Sequence, residues 1–321
     1  MKLLVLGGTE FLGRALVEIA LSDGHMVTLF NRGRTNPDLF PEAEHLRGDR
    51  DGDLGPLAGR RWDAVIDTSG YVPRVVRDSV ERLRGGVTHY VFVSSISVYA
   101  SFAEPVAERS PLAQLVEPGS EDAEADYGAL KALCEAEVMS GMNGRATNVR
   151  AGLIVGRYDP TGRFTYWVHR IARGGEVLVP EPIDQPIQFI DVRDLARWLL
   201  YLAQNGVAGT FNATGPTTMS AVLEEARHVT ESDAYFTEVE ASFLAERELT
   251  RWSHFPLWLG GASPEFRHFF DADVSRALAA GLTFCPISGT VGDTLANAVP
   301  VEEMGISSAR EAEFLAEWHA R

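Results

Sequence analysis

The sequence predicts an α/β protein built on a doubly wound parallel sheet, with a smaller C-terminal domain. Three observations carry that reading. The chain opens on an apolar run, "KLLVL", that passes directly into the glycine turn "GGTEFLG" and then into an amphipathic stretch. Through the N-terminal half, short apolar runs alternate with amphipathic ones, the pattern of parallel strands joined by helical crossovers. The inner runs "DAVIDTSGY" and "THYVFVSSISVYA" are almost continuously apolar, as strands covered on both faces must be.

Taken in order, "KLLVLGG" is the first strand and "FLGRALVEIALSDG" the first helix, with Leu12, Leu16 and Ile19 at helical spacing and Gly24 closing it. "HMVTLFNRG" is the second strand. Between the two inner strands, "VPRVVRDSVERLRGG" sets Val75, Val76, Val80 and Leu83 on one helical side and arginines on the other. The acidic, proline-bearing stretch "FAEPVAERSPLAQLVEPGSEDAEAD" has no period and reads as a loop. A helix from about Tyr127 to Ser140 follows, then a strand "ATNVRAGLIVG". Beyond Gly156 come a helix with a proline-rich turn, a further helix in "FIDVRDLARWLLYLAQ" and a short strand "GTFNATGP". The remainder carries Trp252, Phe255, Trp258, Phe266, Phe269 and Phe270, read as the packing of a domain that closes over the sheet. The dinucleotide domain is thus expected over 1–155, completed by about 187–215, and the substrate domain over 156–186 and 216–321.

The 321 residues carry a net charge of −16, which opposes nucleic-acid partners because their affinity comes from cations neutralising phosphates. No run is apolar over the roughly 20 residues a membrane helix needs. Nothing at the N-terminus resembles a signal peptide, and Cys134 and Cys285 stand far apart, so a cytoplasmic protein with reduced, buried thiols is expected. His169, His254 and His268 have no carboxylate or second histidine at metal-ligand spacing in the sequence, and no metal is assigned.

In a dinucleotide turn the first glycine permits the bend, the second allows close approach to the pyrophosphate, and the third lets helix pack on strand. Gly7, Gly8 and Gly13 serve the first and third tasks, while Glu10 occupies the second. Its carboxylate is expected to turn away from the pyrophosphate toward an arginine: Arg14 at i+4, Arg32 or Arg34. The second strand ends in Asn31, Arg32, Gly33 and Arg34, with no acid for a ribose diol. Two guanidiniums there suit a 2′-phosphate, which favours NADP(H) and leaves NAD(H) possible.

Tyr127 and Lys131 stand at i and i+4, on one helical face with Cβ atoms roughly 6 Å apart. An ammonium beside the phenol is expected to bring its pKa down from about 10 toward the working range. A serine hydroxyl at the end of the neighbouring strand, in "SSISVY", would hold a carbonyl oxygen for hydride transfer.

With "GGTEFLG", "DTSGY", "FVSSISVY", "YGALK", "FIDVRDLA" and "FNATGP" in place, the chain resembles the extended short-chain dehydrogenase/reductases, which include the NAD-dependent epimerase/dehydratase family. The resemblance covers essentially the whole chain and implies a Rossmann domain with a seven-stranded sheet. It gives Ser95 the substrate-orienting role, Tyr127 that of general acid/base, and Lys131 that of holding the nicotinamide ribose and tuning Tyr127. It places Asp49 and Arg50 beside the adenine, Thr68, Ser69 and Gly70 near the riboses, and Thr9, Glu10, Phe11 and Leu12 in the phosphate turn. Glu10 in "GGTxFLG" resembles an atypical variant, and some relatives with this turn are associated with RNA. Ala151 replaces a frequent proline after Arg150. Ile96 and Ser97 replace the Asp-Glu of sugar dehydratases, and Ile187 and Gln188 an Arg-Asp pair of nucleotide-sugar epimerases, for which Arg163, Arg170, Arg173 or Arg267 could substitute. The expected function is an NAD(P)(H)-dependent oxidoreductase of a small-molecule ketone or secondary alcohol. A nucleotide-sugar epimerase and a catalytically silent binding protein are the alternatives, and a homodimer through the Tyr127 helix and its predecessor is a possible assembly.

Overall fold

The computed structural model describes residues 1–249, 252–260 and 264–321, and the elements below belong to these residues. The chain runs β1 (Lys2–Leu6), α1 (Phe11–Ser22), β2 (Met26–Asn31), β3 (Glu44–Arg47), β4 (Trp62–Asp67), α2 (Pro73–Leu83), β5 (Val87–Ser95), α3 (Tyr127–Met142) and β6 (Ala146–Ala151). It continues through β7 (Leu153–Val155), α4 (Arg163–Ala172), β8 (Glu176–Pro180), β9 (Pro186–Asp191), α5 (Val192–Asn205), β10 (Gly209–Ala213) and β11 (Gly215–Thr218). The C-terminal part holds α6 (Met219–Val229), β12 (Tyr235–Val239), α7 (Ala241–Glu246), α8 (Ser275–Ala279), α9 (Ile287–Asn297) and α10 (Ser308–His319).

Seven strands form one parallel sheet in the order β10-β6-β5-β4-β1-β2-β3. Alternation along each strand feeds two layers: Leu3 and Val5 enter the core shared with α1 and α5, Leu4 and Leu6 the core shared with α2 and α3. Each such buried side chain contributes roughly 1.5–3 kcal/mol, which favours apolar residues on both faces of β1 and along the middle of β4 and β5. The chain winds in opposite directions from β1 and from β4. That reversal opens a crevice at the carboxyl ends of the two strands, the place where doubly wound sheets hold ligands.

A second core gathers Phe164, Trp167, Val177, Val179, Phe189, Leu223, Phe243 and Phe314 around the sheet β11-β9-β7 and the strand pair β12-β8. Phe255, Trp258 and Phe270 are buried in it and Trp252 and Phe269 pack against it, so these aromatics are core, whereas Phe266 is exposed. The loop between Ile96–Val98 and α3 has neither helix nor strand, as its composition predicts. Backbone bonds Phe102 N to Glu265 O (2.8 Å) and His268 N to Phe102 O (2.8 Å) attach it to the second core. Among the described residues no helix is long and apolar enough to cross a membrane.

Two expected strands are each divided. "ATNVRAGLIVG" becomes β6 and β7, and "GTFNATGP" becomes β10 and β11, the second member of each pair belonging to the smaller sheet. Both chains cross at one place, where Gly152 N donates to Ala213 O (2.9 Å) and a Cβ on Gly152 would overlap the Thr214 hydroxyl. The bend follows from that close approach and leaves no mark in the apolar pattern. Strand β3 was not expected, because its sequence "EHLR" is short and only half-buried.

Candidate active site

Gly7 and Gly8 take φ of 105° and 98°, a backbone region that side chains rarely enter. A Cβ on Gly13 would lie 2.8 Å from Gly8 N, so α1 begins pressed against the turn. Its N-cap is Glu10, whose side chain makes no capping bond, unlike Asp191, Thr218 and Ser307 at the starts of α5, α6 and α10. The first-turn amides of α1 therefore lack a side-chain acceptor in the crevice, the condition for binding an anion.

The expected pairing of Glu10 with an arginine does not form. Arg14 bonds Glu18 at 3.1 Å, one further turn along, and stacks 3.6 Å from the centroid of Tyr158. Arg32 and Arg34 are exposed and make no ion pair among the described residues. Glu10 itself is exposed on the crevice wall, and its charge, after burial and Asp67, helps push the Tyr71 phenol up.

The crevice encloses about 700 Å³. Gly7, Thr9, Glu10, Phe11, Leu12 and Gly13 line it, with Asn31, Arg32, Arg34 and Asp49 at one end and Ser95, Tyr127 and Lys131 at the other. Asn31 braces the turn, donating to Gly7 O at 3.0 Å and accepting from Gly33 N at 2.9 Å. Thr68 and Ser69 also line the crevice, both hydroxyls donating to Leu6 O, whereas Gly70 sits behind it against the Phe92 ring. Arg50 reaches the wall, but its guanidinium is not offered to a ligand. It grips Asp67 with two bonds of 2.7 and 2.8 Å, and Tyr90 donates to the same carboxylate at 2.8 Å. Burial opposes the Asp67 charge, yet Arg50 holds the carboxyl below its ordinary range. The adenine-side role expected for Arg50 is thereby replaced by a buried ion pair under the crevice.

Ser95 ends β5 and Tyr127 begins α3, so the meeting of strand end and helix start sets both hydroxyls at the crevice. Ser95 Oγ accepts from Ser97 N and donates to Ser97 Oγ, both at 3.1 Å. Lys131 turns inward, donating to Gly70 O at 2.8 Å and Val93 O at 2.6 Å, with its ammonium 4.4 Å from the Phe92 centroid. Burial pulls it down to about 8. The expected lowering of the Tyr127 pKa is not found: burial raises it, Tyr71 adds to the rise, and a hydrogen bond with Ser95 and the charge of Arg163 oppose it. The ammonium is directed to backbone carbonyls and so does not govern the phenol.

Among the crevice residues given no task by the sequence, two stand beside the Ser95, Tyr127 and Lys131 group. Tyr71 stands with its ring centroid 6.4 Å from that of Tyr127 and 5.2 Å from the Lys131 ammonium. Ser94 Oγ is buried without a partner beside Ser95. Both lie inside the quoted strings "DTSGY" and "SSISVY", where alternation placed them but assigned no task. Of the four arginines considered as anion anchors, Arg170 is taken by Glu311 at 2.5 Å, and Arg173 and Arg267 are exposed away from this crevice. Gln188 forms a reciprocal amide pair with the backbone of Ala272, at 3.1 and 3.0 Å, and Ile187 is in the second core.

The residues present fit a dinucleotide: a glycine turn with no room for a Cβ, an uncapped helix start, and polar groups spread along an elongated crevice. Residues 63–213 match the profile of the NAD-dependent epimerase/dehydratase family. The chain is 29% identical over 235 residues to the chloroplast stem-loop binding protein of 41 kDa b from Arabidopsis thaliana, covering 67% of this chain and 58% of that protein. In fold it is similar to the Bordetella bronchiseptica enzyme WbmH in complex with NAD+ (TM-score 0.65, 17% identity, 92% of this chain and 97% of that one). It is likewise similar to UDP-glucuronic acid 4-epimerase from Bacillus cereus in complex with NAD (TM-score 0.63, 16% identity, 91% and 97%). Profile match and sheet order agree: residues 63–213 are similar to the NAD-dependent epimerase/dehydratase family domain, and the chain has the fold of the structures named above.

Proposed function

We propose that the protein is an NADP(H)-dependent oxidoreductase that moves a hydride to or from the ketone or secondary-alcohol carbon of a small molecule. The observation that carries this reading is the gathering of Ser95, Tyr127 and Lys131 at one end of a crevice whose other end presents Arg32 and Arg34 without carboxylate partners. The bound nicotinamide supplies the hydride acceptor or donor. The chain supplies the rest. Ser95 and Tyr127 hold the substrate oxygen, and Tyr127 moves the proton at that oxygen. Lys131, already held by two carbonyls, has one remaining N–H to direct toward the ribose. Arg32 and Arg34 suit a 2′-phosphate through charge-assisted bonds, which is the basis for preferring NADP(H).

An epimerase would use the same three residues for transient oxidation, and the fold likeness to a UDP-sugar epimerase supports that second reading. Against it stands the Gln188–Ala272 pair where a diphosphate anchor is expected. Denaturing the purified protein and identifying the released small molecules separates the two. A tightly retained NAD favours the epimerase; an exchangeable cofactor with net absorbance change on a carbonyl panel favours the oxidoreductase. Tyr127→Phe should reduce turnover at least about a hundredfold with cofactor affinity nearly unchanged, because the phenol acts mainly in the transition state. Activity within tenfold of wild type would remove Tyr127 from the proposed role. The stem-loop binding relative raises a nucleic-acid reading, which the net charge of −16 opposes; flow-through on a polyanion column at low salt is the expected result.

A further inference from the structure

Tyr71 occupies the short link between β4 and α2. Gly70 before it is seated where a Cβ would overlap the Phe92 ring, and Pro73 opens α2 and holds Val72 extended, at φ −114° and ψ 124°. The link is stiff at both ends, so the backbone decides where the Tyr71 ring stands. Two contacts then fix the ring: the Lys131 ammonium lies 5.2 Å from its centroid, and the Tyr127 ring lies at 6.4 Å, tilted by 40°. The Tyr71 hydroxyl has no hydrogen-bond partner among the described residues, so the ring is what this side chain offers.

These contacts leave Tyr71 47% exposed, and of the large apolar side chains exposed among the described residues it alone lines the crevice. An exposed tyrosine on open surface needs no explanation. One held rigid in a crevice beside the reacting phenol presents apolar area that a ligand can cover. Its surroundings there are uncharged: Val72 follows it, Ala151 pairs with Ser95 in the sheet, Ile154 and Pro160 follow Ala151, and all four line the crevice. The charged lining side chains, Lys131 aside, come from the glycine turn and from the segments after β2 and β3. Lys131 has two N–H groups on backbone carbonyls and the third assigned to the ribose. An anionic substituent at this end would therefore meet no available cation, while Glu10 on the crevice wall carries its own sign.

We propose that Tyr71 determines specificity by covering an uncharged aromatic ring borne on the carbon that exchanges hydride at Tyr127. The inference rests on the hydride-transfer reading and narrows it to neutral aryl ketones and their alcohols. Tyr71 acts through its ring and takes no part in proton transfer.

The test compares acetophenone with 2-butanone as substrates of the full chain with NADPH. The kcat/KM ratio of the two should favour acetophenone, stay within about twofold in Tyr71→Phe, and fall at least about tenfold in Tyr71→Ala, the range of a lost ring contact and its covered area. Tyr71→Gln gives the same reading should Tyr71→Ala not fold. NADPH affinity, measured by calorimetry, should stay within about twofold in every variant. An unchanged ratio in a folded Tyr71→Ala overturns the proposal. So does an equal loss for both ketones accompanied by weaker NADPH binding, which would make Tyr71 a cofactor contact. 4-Acetylbenzamide should exceed 4-acetylbenzoate in kcat/KM, and equality of the two overturns the restriction to uncharged rings. Should no ketone be reduced, the hydride-transfer reading fails by itself. Ligand-observed NMR of acetophenone on the chain, with and without NADP+, then still judges Tyr71. Saturable binding that Tyr71→Ala weakens at least about tenfold supports the ring contact, and absence of saturable binding to the wild type overturns it.

Discussion

Arg14, Arg50, Arg60 and Arg74 each meet a carboxylate within 3.1 Å, whereas Arg32 and Arg34 meet none among the described residues. A guanidinium already paired has little to offer a ligand, so the difference separates structural arginines from available ones. Arg32→Ala should weaken NADP+ by about tenfold or more and NAD+ by less than twofold, since only the former carries the charge it would read. Calorimetric titration of both cofactors checks this, and an equal loss would rule out a 2′-phosphate contact. Lys131 makes a second residue-scale prediction through pH. Its value is drawn down to about 8 by burial, while Tyr127 is raised above its ordinary value by the same cause. Ketone reduction uses both in their protonated forms, Tyr127 as acid and Lys131 as cation. The group with the lower value loses its proton first, so kcat/KM for reduction should hold up to about pH 8 and fall above it. In Lys131→Arg, which stays charged, the falling limb should move upward; a profile that does not move assigns the limb to another group.

At the scale of elements, the site depends on how closely α3 lies on the short turn Ile96–Val98 that follows β5. A Cβ on Gly128 would overlap the Ser97 carbonyl oxygen, so the residue after Tyr127 has to be glycine for the helix to seat there. Gly128→Ala should cost about 1–3 kcal/mol in urea unfolding and lower kcat at least about tenfold, because the displaced turn carries Tyr127 away from Ser95. Gly289→Ala on α9, where a Cβ meets only open space, should change neither. Equal behaviour of the two variants would show that the close approach is not needed. The strands flanking this seat were readable beforehand because sheet layers covered on both faces force continuous apolar runs such as Tyr90 to Val93. The glycine turn and the Tyr127–Lys131 spacing were readable for a similar reason: local backbone chemistry determines them. What long-range packing decides was not readable. Arg50 follows Asp49 in a polar stretch, and only the parallel pairing of β1 with β4 brings Asp67 beneath it. The same holds for Gly152, whose role appears only when Thr214 arrives from a distant strand.

For the whole molecule, the described residues form two main cores, one on each side of the sheet's carboxyl-end crevice. The sheet core is almost purely apolar around β1, β4 and β5. Buried ion pairs occur on both sides, Arg50–Asp67 and Arg150–Glu135 beside the sheet and one in the second core that ties elements together: Arg170 Nε donates to Glu311 Oε2 at 2.5 Å, and Glu311 Oε1 accepts from Leu178 N at 3.1 Å. Through these bonds α10 is tied to α4 and β8, with Phe314 and Leu315 packing beneath it. Removing one partner leaves a charge enclosed with no counter-ion, which is far more damaging than removing both. Glu311→Ala should therefore destabilise by about 3–5 kcal/mol, and Arg170→Met/Glu311→Leu should recover a substantial part of that loss. Because α4 follows the loop whose Pro160 lines the crevice, the single variant should loosen that side, taken as the substrate side, before the cofactor side. Hydrogen exchange read by mass spectrometry distinguishes the two sides. Protection should fall across α4 and β8 while β1, β4 and β5 keep theirs, and NADP+ affinity should stay close to wild type. A uniform loss across both cores would mean that they unfold as one cooperative unit, and the substrate side would then have no separate stability for a ligand to act on.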